Sequence, residues 1–303
     1  MPDFTLADNP NSLATALDPL ELVGVDTEFM REKTYFSELC LVQISSMDHI
    51  FIADPLTDGD LAEFWAALLD TPWVLHSGRQ DIEVVYQTAG RMPVGVFDTQ
   101  VAAGLLGYQP QVGYANLIRE LFNVELDKTH TRADWSRRPL TDALLHYAAE
   151  DVEYLLPAHE TLAEKLDQKG RLTWAGEDSA LLLDPALYDN HPELAIDRVK
   201  GARNLRGKRR SAAARLAAWR ESEALRANRP RQWIVRDNVL IDLANRLPGT
   251  MNELSGIDGI PAGLVRRSGK QVLSTIAAST ADNNRYSPPR TPDEAQKSLL
   301  KSM

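Results

Sequence analysis

The apolar residues first recur at strand spacing and then at helical spacing. VGVDTEF (23–29), ELCLVQIS (38–45) and HIFIAD (49–54) are runs of strand length parted by short polar segments, which predicts an antiparallel meander. From DGDLAEFWAALLD onward the period changes, predicting a helix over about 59–70 and then a strand at WVLH (73–76). DIEVVYQTA (81–89) reads as a helix with Asp81 in its first turn, where the helix dipole favours an anion. Helices are expected over 99–106 and 116–122, then a polar loop over 124–139. A long helix follows from Leu140 to Gly170, capped by Thr141 and bent at Pro157. Ser12 is the expected cap of a short helix, SLATAL, ahead of the first strand.

LDPALYDNHP, with prolines at 185 and 192, marks a boundary. Everything beyond it is helical in pattern: ARLAAWRESEALRANR, then DNVLIDLANRL with Asp237 as cap, then TMNELSG, where Thr250 and Glu253 have capping-box spacing. The expected architecture is therefore an α/β domain over 1–195, a basic linker over 196–210 and an all-α bundle over 211–282. The Pro-rich polar tail, 283–303, is expected to be disordered.

A length of 303 residues suits two domains, and 44% apolar with 25% charged residues suits a globular chain. Cys40 is the sole cysteine and sits in the apolar run LCLVQI, so it reads as core rather than nucleophile and points to a reduced, cytoplasmic setting. The opening MPDFTLADNP shows no export signal, and no run reaches the roughly 18 apolar residues a membrane span needs. A net charge of −10 argues at first against a polyanionic partner. The average conceals a polarised chain, because residues 198–236 hold 13 Lys and Arg against Glu221 and Glu223, leaving +11 there and −21 elsewhere. Such a block suits a grip on a polyanion, or a solvated Arg-rich helix with no ligand.

The candidate chemistry lies in the acids. Residues two apart on a strand face the same way, so Asp26 and Glu28 stand side by side if the strand continues through them. Two neighbouring anions repel and are costly to desolvate, and a bound cation resolves both problems. Alternatively the strand stops at Val25 and both acids face water. Asp81 follows a strand, where open α/β sheets place ligands. Tyr147 and Asp151 are four apart on the long helix and share a face. Singly, each also reads as a helix-start acid or a buried phenol beside a hydrogen-bonding neighbour. No phosphate-cradling glycine motif, zinc pattern or nucleophilic triad accompanies them, and no small-molecule organic cofactor is expected.

Taken together, D-x-E, a later acid and Y-x-x-x-D resemble the three exonuclease motifs of the DEDD superfamily, in its tyrosine branch. VDTEFMREKTYFSELCLVQIS, LHSGRQDIEVV, FDTQVAAGLLG, LDKTHTRADWSRRPLT and HYAAEDVEYLLP resemble segments of the ribonuclease D family, in order and spacing. More loosely, WR at 219–220, IVRD, LANRLP and ELSGIDGI resemble a helicase-and-RNase-D C-terminal (HRDC) domain. The resemblance implies a ribonuclease H-like fold with a mixed central sheet, and hydrolysis of RNA from an accessible 3′ end to nucleoside 5′-monophosphates. Precursors of tRNA or other structured RNAs are the implied substrates. It further implies two divalent ions, Mg²⁺ or Mn²⁺. Asp26 would bridge both, Glu28 and Asp151 would complete one site, and Asp81 would hold the second ion through its water shell. Hard cations prefer such carboxylate oxygens, and a pair of them offsets charge on attacking and leaving oxygens.

Tyr147 would position the attacking water, since a phenol of ordinary pKa, about 10, is a poor base at neutral pH. The sister branch uses a histidine five residues before the last aspartate, and His146 occupies that position here. Helical geometry turns His146 away from Asp151 and favours Tyr147. Phe29, Lys128, Arg132, Trp135 and Arg138 are candidate RNA contacts, with Phe29 and Trp135 open to a purely packing role. A DNA exonuclease of the same superfamily and an inactive nucleic-acid-binding protein are the alternatives.

Overall fold

A computed structural model of the protein describes residues 2–7, 9–57, 59–126 and 133–280. The chain divides into two compact units, one formed by the residues up to Met30 with Ser37–Tyr188, the other by Arg31–Phe36 with the chain from Asp189 onward.

The first unit is built on a six-stranded mixed sheet. Strand β1 (Phe4–Ala7) is followed by a short helix α1 (Ala14–Leu17), then β2 (Val23–Met30), β3 (Glu38–Ser45) and β4 (Ile50–Ala53). After α2 (Ala62–Leu69) come β5 (Trp73–Leu75), α3 (Arg79–Ala89), β6 (Val96–Asp98), α4 (Thr99–Leu106) and α5 (Tyr114–Phe122). Helices α6 (Asp142–Glu153), α7 (Leu155–Gln168) and α8 (Leu172–Ala180) complete the unit. The sheet order is β1-β4-β3-β2-β5-β6. The predicted meander is present, with β2–β3 and β3–β4 antiparallel, while β1–β4, β2–β5 and β5–β6 are parallel. The pattern did not predict β1, β6 or α8, which are short or sit beside proline and glycine punctuation.

The cap expected from Ser12 is supplied instead by Asn9, whose side chain accepts from Asn11 N, while Ser12 Oγ donates to the Asn9 carbonyl. Thr141 caps α6 as expected, accepting from Leu144 N. The long helix is broken rather than bent. Pro157 has no N–H to give the Glu153 carbonyl and its ring crowds that group, so α6 stops at Glu153 and α7 starts at Leu155. Groups freed by the break find other partners: Ser45 Oγ donates to the Val152 carbonyl at 2.9 Å and Tyr154 N to Tyr114 Oη at 3.1 Å. Gly24 lets this break lie close on the sheet, since a Cβ there would come within 2.9 Å of Leu155 Cβ.

The second unit contains α9 (Gly207–Ala227), α10 (Arg231–Ile234), α11 (Asp237–Arg246), α12 (Met251–Ser255) and α13 (Ala262–Ala277). The segment 196–210, expected as a linker, is folded. It holds 3₁₀ turns and the start of α9, and Ile196, Val199, Ala202 and Leu205 are buried in the bundle core, because its apolar residues punctuate the basic ones. Asp237 does not cap α11. Its carboxylate is drawn aside by Arg220 Nη1 at 2.7 Å and Lys200 N at 3.1 Å. Half of the expected box forms, with Thr250 Oγ1 accepting from Glu253 N, while Glu253 Oε2 accepts from Gly249 N, one residue ahead of the cap. Tyr35 Oη donates to the buried Glu221 at 2.5 Å, and Arg198 and Arg231 also reach that carboxylate. The tail 283–303 lies outside the described residues.

Candidate active site

Asp26 and Glu28 both stand on β2, and the strand runs past them to Met30. Each carries one carboxylate oxygen to within 4.8 Å of the others in a group of three completed by Asp151 from α6. Strand alternation therefore puts the two acids on the face that α6 covers. Thr27, between them, serves the opposite side and donates from Oγ1 to Asp81 Oδ1 on α3 at 2.6 Å. Asp81 is not within the close group of three but lines the same cavity of about 370 Å³, with Ser77, Tyr114 and Tyr147.

The turn that presents Asp81 is held by a residue that periodicity offers no reason to select. Asp98, at the end of β6, is 2% exposed, and its carboxylate accepts from Ser77 N, Gly78 N and Gln100 N at 2.8–3.0 Å. One buried carboxyl thereby caps α4 and holds the turn that leads into α3. His76, just after β5, pairs its ring nitrogens with Thr99 Oγ1 and the Val112 carbonyl, each at 2.9 Å, in keeping with a hydrogen-bonding role. Gln43 lies opposite Asp26 on β3 and is fully buried, with neither amide atom partnered among the described residues.

The electrostatics reflect crowded anions. Burial, then the charges of Asp81, Asp151 and Glu28, hold the Asp26 carboxyl well above the usual range. Burial followed by the charges of Asp151 and Asp81 pushes Glu28 up to about 8. Asp151 rises to about 7 through burial and Glu150, with the Tyr147 hydrogen bond opposing the rise. Asp81 rises to about 6 through burial, restrained by the Thr27 hydroxyl. Hard oxygen donors that hold protons this firmly in the absence of positive charge have the chemistry of a divalent-cation site.

Tyr147 Oη is hydrogen-bonded to Asp151 and faces the cavity. His146 turns away, with Nδ1 2.7 Å from the Asp142 carbonyl and its ring edge-on to Phe4 at 5.1 Å. Phe29 lines the cavity beside the acids, just past a register shift in the β2–β3 ladder. Two of the residues expected to contact RNA have partners within the protein. Trp135 is 3% exposed within the α6-facing core. Arg138 spends its guanidinium on Asp54, at 2.5 and 2.7 Å, and on the Cys40 and Trp135 carbonyls. Lys128 and Arg132 lie outside the described residues. Cys40 is buried, and its thiol is pushed up to about 11 by burial and then by Glu38, which keeps it protonated and unreactive.

Residues 4–167 match the 3′–5′ exonuclease family and residues 209–276 the HRDC domain. The chain is 42% identical to Ribonuclease D of Acidiphilium cryptum over 97% of its own length and 77% of that protein. The chain belongs to the ribonuclease D family. Ribonuclease D of Gluconacetobacter diazotrophicus is 39% identical, over 92% of this chain and 73% of the relative. The crystal structure of Escherichia coli RNase D, described as an exoribonuclease involved in structured RNA processing, superposes with a TM-score of 0.81 at 29% identity, covering 99% of this chain and 82% of that one. This ribonuclease D family member is a 3′–5′ exoribonuclease with a mixed-sheet nuclease domain followed by an HRDC domain. Its acidic cavity is consistent with divalent-metal use. Among the described residues no helix is long and apolar enough to cross a membrane.

Proposed function

We propose that the cavity on β2, α3 and α6 removes nucleoside 5′-monophosphates one at a time from RNA 3′ ends, using two divalent ions, Mg²⁺ or Mn²⁺. The observation that carries this reading is the convergence of Asp26, Glu28 and Asp151 oxygens within 4.8 Å. Asp26, Glu28, Asp81 and Asp151 are the residues that would hold the ions. Bound there, the ions would supply positive charge against the negative charge that develops on the attacking and leaving oxygens of the phosphodiester. Thr27 fixes the Asp81 carboxylate, and Asp98 fixes the turn that precedes it. Tyr147, hydrogen-bonded to Asp151, orients the incoming water, and Phe29 packs on the terminal base.

The substrates we assign are tRNA precursors and other structured RNAs with a free single-stranded 3′ end, supported by the likeness to an exoribonuclease of structured RNA processing. A reducing cytoplasmic setting is supported by the lone, buried Cys40. The test is digestion of matched RNA and DNA single strands labelled at the 3′ end. With Mg²⁺, label should leave the RNA as mononucleotide, EDTA should stop it, and Asp26→Asn should abolish it. Intact RNA in both Mg²⁺ and Mn²⁺, or preferential loss of DNA label, would overturn the assignment.

A further inference from the structure

The sequence places a +11 block at 198–236, and four of its cations are held by carboxylates of the second unit. Arg220 is buried on Asp237, Arg198 and Arg231 converge on Glu221, and Arg226 pairs with Glu223. One cleft of about 390 Å³, formed by α9, α10 and α13, is lined by three arginines and one carboxylate, Glu223, which Arg226 pairs. Arg229, just past the left-handed Asn228 that ends α9, and Arg267 on α13 both line it. Neither guanidinium has a carboxylate partner among the described residues.

The same cleft carries two indoles. Trp219 is 8% exposed, and its Nε1 has no hydrogen-bond partner among the described residues. Trp233, on the four-residue helix α10, is 60% exposed and stands between this cleft and a second one that reaches Arg236. A flat π-face flanked by unpaired guanidinium groups has the chemistry that single-stranded nucleic acid recognises: bases stack on the ring, and phosphates meet the arginines. An acidic peptide would use the arginines but has no need of the exposed ring.

We propose that this cleft is a nucleotide subsite of the HRDC domain. In it Trp233 stacks on one base of single-stranded RNA, and Arg229 and Arg267 hold the adjoining phosphates. The proposal rests on RNA being the substrate and adds where this domain grips it. Such a grip serves RNA long enough to occupy both the cleft and the acidic cavity, and a dinucleotide gains nothing from it.

The test uses the full chain in EDTA with a fluorescent single-stranded oligoribonucleotide, read by anisotropy across a salt series. Trp233→Ala should weaken binding about ten-fold or more, and Trp233→Phe should retain most of it. The pair Arg229→Ala with Arg267→Ala should also lower the slope of log K against log salt, by about 0.7 for each phosphate no longer neutralised. With Mg²⁺, hydrolysis of a dinucleotide should be unchanged in every variant, while KM for the long RNA rises. Unaltered long-RNA binding in Trp233→Ala overturns the subsite, as does capture of an acidic peptide by this face with RNA affinity intact. Failure of the wild-type chain to hydrolyse even the dinucleotide would instead count against the acidic cavity, so the two readings fail separately.

Discussion

The indole of Trp135 packs against the phenol of Tyr147, ring centroids 6.2 Å apart and planes inclined by 35°. Both residues are nearly buried, and the indole stands behind the cavity wall that carries Tyr147. Removing it would open a cavity directly behind Tyr147, at a cost of about 3–5 kcal/mol typical of large aromatic truncations. Trp135→Ala should lower both Tm and kcat while leaving KM for short RNA near wild type. Trp135→Phe, which refills part of the space, should recover much of each. A rise in KM with unchanged kcat and Tm would return Trp135 to the RNA-binding surface.

The roles of the adjacent residues 146 and 147 separate cleanly. Tyr147 is hydrogen-bonded to Asp151, whereas His146 bonds the Asp142 carbonyl and packs on Phe4. Tyr147→Phe should reduce kcat by about two orders of magnitude, a common loss for a positioning or proton-transfer group. His146→Ala should alter kcat by less than about three-fold and show mainly as a small drop in Tm. The converse pattern in single-turnover kinetics would reassign the water-orienting role to His146.

Local periodicity made much of this site legible, because alternation on β2 and four-residue spacing on α6 are both short-range properties. Spacing puts Asp26 with Glu28 on one face, if the strand continues past Val25, and Tyr147 with Asp151 on another, whereas the joining of the two pairs into one site rests on the resemblance to the family. What spacing could not convey is how a polar residue divides its hydrogen bonds over long sequence distances. Arg138 looked available for phosphate and is committed to Asp54, 84 positions away. Asp98 has the look of an ordinary helix cap, and its bonds to Ser77 and Gly78, 21 and 20 positions back, depend on β5 and β6 being neighbours. The 196–210 segment failed for a related reason. Its charge dominates composition, while burial of Ile196, Val199, Ala202 and Leu205 depends on a core supplied by later helices.

Thr27 offers a test of the second-ion position that leaves the close acid group alone. Its hydroxyl donates to Asp81 and holds that carboxyl below what burial alone would give. Thr27→Val keeps the shape and removes the donor, leaving Asp81 freer to rotate and more prone to hold a proton. The Mg²⁺ or Mn²⁺ concentration for half-maximal activity should rise several-fold, with recovery in Thr27→Ser. Calorimetric metal titration should report the same weakening without RNA. Unchanged metal dependence in Thr27→Val would mean that Asp81 needs no such restraint.

The raised carboxyl pKa values also predict how the metal-free protein responds to pH. Glu28, Asp151 and Asp81 have folded values of about 8, 7 and 6, against ordinary values of 4.5, 3.8 and 3.8. Between those limits the native state binds more protons than the unfolded chain, so its stability must fall as pH rises. The penalty is absent below about pH 4 and complete above about pH 8, opposite in sign to a salt-bridged carboxylate. In EDTA, Tm should therefore decline on the order of several °C from about pH 6 to about pH 8, and saturating Mn²⁺ should remove or reverse the decline. Because other groups titrate in this range, the decisive comparison is with Glu28→Gln, which replaces a carboxyl titrating near the top of that window by a neutral group of the same shape. Its EDTA profile should be flatter than that of wild type and its Tm at about pH 8 higher, although it binds metal less well. Parallel profiles for the two proteins would show that Glu28 carries no such proton, and that the acids lie too far apart or too wet to act as one site.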